Sequence, residues 1–132
     1  MVARELRGRQ VLSLLPFWLQ HHLTALLREE KTPLYLAGGG VRDLLLGRIP
    51  TDIDLTVAAG ARRWASRLAD RSGGTYVALG RTEDAARVVW GAFTVDFSSF
   101  REGAGDIEAE LALRDLSVNA LGLRIDPLFA PP

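Results

Sequence analysis

The stretch Leu36–Val57, LAGGGVRDLLLGRIPTDIDLTV, decides how this 132-residue chain is read. Leu34, Tyr35 and Leu36 make a short apolar, β-prone run that stops at Gly38, Gly39 and Gly40, and a helix-like VRDLLLG follows. The order predicts a strand, a glycine turn and a helix start in succession. Glycines at such a junction allow positive φ and close approach of a ligand to the backbone, while the first free N–H groups of the helix make an anion site. With Arg42 close by, the arrangement reads as a phosphate cradle. Beyond Gly47 and Pro50 comes TDIDLTV, whose alternation puts Asp52 and Asp54 on one strand face and Ile53 and Leu55 on the other. Two neighbouring carboxylates need a cation, and Mg²⁺ is the natural one because it takes hard oxygen ligands together with substrate phosphates.

Around that stretch the chain reads as scaffold. Apolar residues make up 48% of the sequence, enough for one ordinary core, and the length fits a single domain over residues 1–132. The absence of cysteine excludes disulfides and thiolate metal sites and is compatible with the cytoplasmic setting expected here. Sixteen basic residues against sixteen acidic ones argue against a large electrostatic footprint for RNA or an anionic membrane, so any RNA grip lies mostly elsewhere. The opening MVARELRGRQVLSLLPFW carries basic residues and leucines, but Pro16 interrupts it and no small-residue cleavage site follows. Neither a signal peptide nor a membrane span is expected, since the apolar runs fall short of about 18 residues.

Residues 1–16 read as a short helix or arm. Trp18, Leu19, Leu23, Leu26 and Leu27 mark one face of a helix over Phe17–Lys31, with Pro16 near its first turn. His21 and His22 on that helix point about 100° apart and read as surface residues rather than joint metal ligands. Gly60–Arg71 predicts a second helix, stopped by Ser72, Gly73 and Gly74. Thr75–Leu79 reads as a strand, and Arg87–Trp90 and Phe93–Phe97 as a hairpin turning at Gly91-Ala92. The expected class is α+β, a mixed, largely antiparallel sheet flanked by helices. Asp96 falls inside the last strand, where a carboxylate is costly without a partner; a cation held by Asp52 and Asp54 is the expected one. Ser98–Gly105 reads as a loop, and Asp106 begins a helical segment, IEAELALRDLSVNALGL. There Arg114 and Asp115 lie near a helix start and Asn119 one turn beyond Asp115 on the same face, although Asp115 alone reads equally as a helix cap. Arg124–Pro132 reads as a linker.

Singly, these signals are weak: a glycine cluster after a strand is usually a turn, and D-x-D is more often a solvated strand end. Their conjunction is sharper. GG-x-VRD at Gly38–Asp43, D-x-D at Asp52 and Asp54, VDFSSFR at Val95–Arg101 and RDLSVNA at Arg114–Ala120 follow one another in order. This series resembles the class II tRNA nucleotidyltransferase and poly(A) polymerase family, of the DNA polymerase β-like superfamily, over roughly Leu34–Leu123. The last motif is similar to the family's RDFTINA element.

The resemblance implies the catalytic head domain of that family, transferring nucleotides from CTP or ATP to an RNA 3′ end, with tRNA the expected acceptor. Gly38, Gly39 and Arg42 would touch the triphosphate, with Asp43 of the same motif also at the nucleotide. Asp52, Asp54 and Asp96 would hold Mg²⁺ and be the catalytic carboxylates, and Arg114, Asp115 and Asn119 would line the nucleotide site. In a two-metal transfer one ion activates the RNA 3′-hydroxyl and the other steadies the pyrophosphate; no covalent nucleophile is suggested. Two departures stand out. Family members continue past this point into a neck with the EDxxR motif that selects the base, then into a tRNA-holding body and tail, whereas this sequence stops at Pro132. The segment between Arg101 and Leu111 is also far shorter than the flexible loop of most CCA-adding members, a feature of the family's CC-adding enzymes. The alternatives are a poly(A) polymerase head and an inactive nucleotide-binding module.

Overall fold

The computed structural model describes residues 15–37, 43, 46–100 and 122–125. In chain order these form α1 (Phe17–Glu30), β1 (Leu34–Ala37), β2 (Asp52–Val57), α2 (Ala61–Ser72), β3 (Thr75–Ala78), β4 (Ala85–Trp90), β5 (Phe93–Ser99) and β6 (Gly122–Ile125). The six strands make one sheet in the order β3-β4-β5-β2-β1-β6. Every neighbouring pair is antiparallel except β2 with β5, which run parallel through the middle of the sheet. The mixed, largely antiparallel α+β architecture expected from the sequence is the one observed.

Alternation sorts the strands into two faces. Leu34 and Leu36 on β1, Ile53, Leu55 and Val57 on β2, Ala86 and Val88 on β4, and Val95 and Phe97 on β5 are all buried in one core. The helices cover that face. On α2 the buried positions Ala61, Trp64, Ala65, Leu68 and Ala69 recur at the three- and four-residue spacing of one helical stripe. Trp64 stacks on Phe97, with ring centroids 6.1 Å apart. Helix α1 contributes Leu19, Leu23, Leu26 and Leu27, and its Trp18 stacks on Trp90 at 4.5 Å, tying the start of the helix to the hairpin.

Two charge devices hold the helices in place. Helix α1 ends in Glu29 and Glu30, the wrong sign for the negative end of a helix dipole. Arg63, Arg67 and Arg71, four residues apart along α2, answer them: Arg67 pairs with both glutamates, Arg63 with Glu30 at 3.1 Å and Arg71 with Glu29 at 3.8 Å. Helix α2 has the converse problem at its start, where Arg62 and Arg63 sit and Gly60 supplies no capping side chain. Asp84, more than twenty residues away, takes that role. Its carboxylate accepts from the N–H groups of Gly60 (2.9 Å), Ala61 (3.1 Å) and Arg62 (3.0 Å) and from Ser99 Oγ (2.6 Å). Burial opposes the charge on Asp84, but these four donors outweigh it and hold its pKa below the usual carboxylate range.

One sequence reading is corrected at the far end of the chain. Gly122 and Leu123 were expected to finish a helix and Arg124 and Ile125 to start a linker, yet Gly122–Ile125 is strand β6, paired with β1 from Leu34↔Ile125 to Ala37↔Gly122. The physical reason is the open outer edge of β1, whose N–H and C=O groups are satisfied by any short extended segment with alternating apolar residues, here Leu123 and Ile125. Among the described residues, no helix is long and apolar enough to cross a membrane.

Candidate active site

The face of the sheet away from the helices carries the polar residues of the same strands. Register fixes who stands beside whom. In the parallel pair Asp54 lies opposite Asp96; in the hairpin Asp96 lies opposite Arg87; on the other side Asp54 lies opposite Ala37. A row Arg87–Asp96–Asp54–Ala37 therefore crosses four strands, with adjacent positions about 5 Å apart. Asp52 is two residues before Asp54 and on the same face. Ala37 is the last residue of β1, so the glycine motif follows directly from the strand position beside Asp54.

The partners of these carboxylates differ. Asp52 is exposed and accepts a hydrogen bond from Thr94 Oγ1 at 2.6 Å. Asp54 is half-buried. Asp96 is gripped by Arg87, whose Nε donates to Oδ1 at 2.7 Å and Nη2 to Oδ2 at 3.0 Å, the two-pronged geometry that guanidinium and carboxylate favour. Hydrogen bonding and charge from Asp96, with a further contribution from Asp52, raise the Arg87 pKa above its ordinary value. The partner expected for Asp96 was a cation held by Asp52 and Asp54; the partner observed is Arg87.

Whether a divalent cation fits is answered in two parts. Asp52 and Asp54 are hard oxygen donors on one face of one strand, the right chemistry for Mg²⁺. Among the described residues, however, no three His, Cys, Asp or Glu side chains are grouped to hold a metal ion, and both oxygens of Asp96 are engaged by Arg87. Asp43 of the GG-x-VRD motif is helical and half-buried. Its carbonyl accepts from the N–H groups of Leu46 (3.1 Å) and Arg48 (2.8 Å), and Gly47 adopts φ +74°, a helix stop of the Schellman type. Gly38, Gly39, Arg42, Arg114, Asp115 and Asn119 lie outside the described residues, as does the segment between Arg101 and Leu111.

Sequence reasoning missed Arg87, Thr94 and Asp84. The signal for Arg87 was available. A two-residue turn at Gly91-Ala92 pairs Trp90 with Phe93, and counting three residues back along each strand brings Arg87 opposite Asp96. Gly91 takes φ +59° at the first turn position, which two-residue hairpins commonly assign to glycine.

Residues 34–128 match the family described as the poly(A) polymerase head domain, and the chain belongs to that family. It is 42% identical over 101 residues to the CC-adding tRNA nucleotidyltransferase of Synechocystis sp., covering 70% of this chain and 24% of the relative. With the CC-adding tRNA nucleotidyltransferase of Geobacter sulfurreducens it shares 36% identity over 115 residues, 80% of this chain and 26% of the relative. Among solved structures, a CCA-adding enzyme in complex with CTP is similar at a TM-score of 0.75 and 25% identity, over 92% of this chain and 31% of the other. The chain thus spans about a quarter of the length of these curated relatives.

Proposed function

We propose that this chain is the catalytic head of a tRNA 3′-end nucleotidyltransferase, moving a nucleotidyl group from CTP or ATP to an RNA 3′-hydroxyl. The observation that carries the reading is the juxtaposition of Asp52 and Asp54 with Asp96 on one face of the sheet, at the strand end that leads into the glycine motif. In this reading Asp52 and Asp54, with Asp96 beside them, would hold Mg²⁺, which would supply positive charge to offset that of the triphosphate. Gly38, Gly39, Arg42 and Asp43 receive the triphosphate, and Arg114, Asp115 and Asn119 line the nucleotide. The bond from the RNA 3′-oxygen to the α-phosphorus forms as the bond to the pyrophosphate oxygen breaks, and one proton leaves the hydroxyl. Thr94 Oγ1 fixes one oxygen of Asp52, limiting how that carboxylate turns.

The CC-adding type is favoured over the full CCA-adding type by the short Arg101–Leu111 segment and by the names of the two relatives above. In this reading the 132 residues bind CTP and ATP within a few-fold of each other, through triphosphate and ribose. Calorimetric titration of the 132-residue chain with CTP and ATP, with and without Mg²⁺, is the test. Metal-dependent binding with less than about tenfold preference, roughly 1.4 kcal/mol, is expected. Equal binding in EDTA would remove the metal-dependent reading.

A further inference from the structure

Among the described residues, Asp52, Asp54 and Asp96 share the carboxylate face with a cation, Arg87. Arg87 stands at the end of the row on β4, with no residue between it and Asp96, and its fork occupies both carboxylate oxygens at 2.7 and 3.0 Å. Asp96 in turn stands beside Asp54 across the parallel pair. Arg87 keeps 42% of its side-chain exposure and Asp96 32%, so the pair is open enough to rearrange. An interior structural pair would be closed off.

Resting on the function proposed above, we infer that Arg87 is a positioning residue: a built-in counter-cation that steadies Asp96 while no metal is bound and competes with divalent cations for the carboxylate cluster. Without it, Asp52, Asp54 and Asp96 would repel one another, at a cost to the metal-free site. With it, a cation arriving alone meets a cluster already partly neutralised and an acid whose oxygens are taken. A metal arriving with a triphosphate brings negative charge of its own, which gives Arg87 a second anion to face as Asp96 turns toward the metal. The pair therefore disfavours empty metal loading relative to loading with nucleotide.

The test is Mn²⁺ binding to the full chain, followed by the electron paramagnetic resonance of free Mn²⁺, for wild type, Arg87→Gln, Arg87→Met and Arg87→Lys. Removing the charge is expected to tighten nucleotide-free Mn²⁺ binding about three- to tenfold, the scale of one unit charge acting on a divalent ion across a few strand spacings. Arg87→Lys, which keeps the charge without the fork, is expected to stay near wild type. Circular dichroism checks that the variants fold. A readout on wild type needs no variant: the Arg87 Nε–H resonance should shift when Mg²⁺ and CTP are added together. Unchanged or weaker Mn²⁺ binding in folded Arg87→Gln, or an Nε–H signal indifferent to Mg²⁺ and CTP, overturns the inference. Loss of CTP affinity with unchanged Mn²⁺ affinity also overturns it and makes Arg87 a triphosphate contact. These outcomes leave the nucleotidyltransferase reading standing, whereas wild type that binds no divalent ion even with CTP overturns that reading as well.

Discussion

Phe97 and Asp96 are neighbours on one strand and belong to different economies. Phe97 points into the core, stacked on Trp64 and fully buried, while Asp96 points to the opposite face and is held by Arg87. The same division runs through β2, where Ile53 and Leu55 stabilise the fold and Asp52 and Asp54 flank them on the other side. Among the described residues the helices cover one face of the sheet, and the other carries Asp52, Asp54, Asp96 and Arg87 together with the buried Thr56. The comparison teaches that, in the proposed reading, stability and function are separated by one residue step, not by distance.

That separation can be broken from either side. The largest effect is expected for Phe97→Ala, which should cost about 3–5 kcal/mol in urea unfolding, as for other large-to-small changes in a packed core. Asp96→Asn, one position away, should leave the metal-free unfolding midpoint nearly unchanged and remove most of the extra stabilisation given by Mg²⁺ with nucleotide. For wild type that gain is about 2.7 kcal/mol at a ligand concentration one hundred times Kd. If both proteins gain equally from ligand, Asp96 is no metal ligand.

A carboxylate that does serve the fold sharpens the contrast. Asp84 faces three backbone N–H groups and a serine hydroxyl, fixed donors that leave it no other task. Asp84→Ala should cost about 1 kcal/mol, the typical loss of an N-cap, with nucleotide binding unaffected. Because its folded pKa is depressed, its contribution is present above the unfolded value of about 3.9 and is lost as pH falls through the folded pKa.

The smallest expected effect belongs to His22. Its Nδ1 is buried without a hydrogen-bond partner among the described residues, and burial first, then the charges of His21 and Arg71, depress its pKa. The unfolded chain then binds the proton more readily, so stability should fall as pH drops below about 6.5. Urea midpoints of wild type and His22→Gln at pH 7.5 and 5.5 measure it: wild type loses more on acidification than the variant does. Equal losses would mean that His22 does not contribute.

Much of this was legible in the sequence because alternation and helical spacing are read residue by residue. The apolar face of β2 and β5, the stripe on α2 and the turn at Gly91-Ala92 all appear where the pattern put them. Partnerships between segments were harder to read. Asp84 capping α2 and Arg63, Arg67 and Arg71 meeting Glu29 and Glu30 depend on how α1, α2 and the β3–β4 connection come together, which no local pattern encodes. Strand β6 was missed because four residues with two apolar positions say little until the free edge of β1 is known. Arg87 is the exception, since hairpin counting alone places it beside Asp96.

The parallel joint between β2 and β5 has a mechanical consequence. Both strands lie in the middle of the sheet with neighbours on each side, so neither can slide or fray without opening the whole. Their amides should be among the slowest to exchange with deuterated solvent, at rates set by global unfolding, while those of the exposed edge strand β3 exchange through local opening. Asp52, Asp54 and Asp96 thus ride on the stiffest backbone of the domain. In the proposed reading, a ligand arriving there meets acids whose carrying frame is already set, and little reorganisation of β2 and β5 is expected.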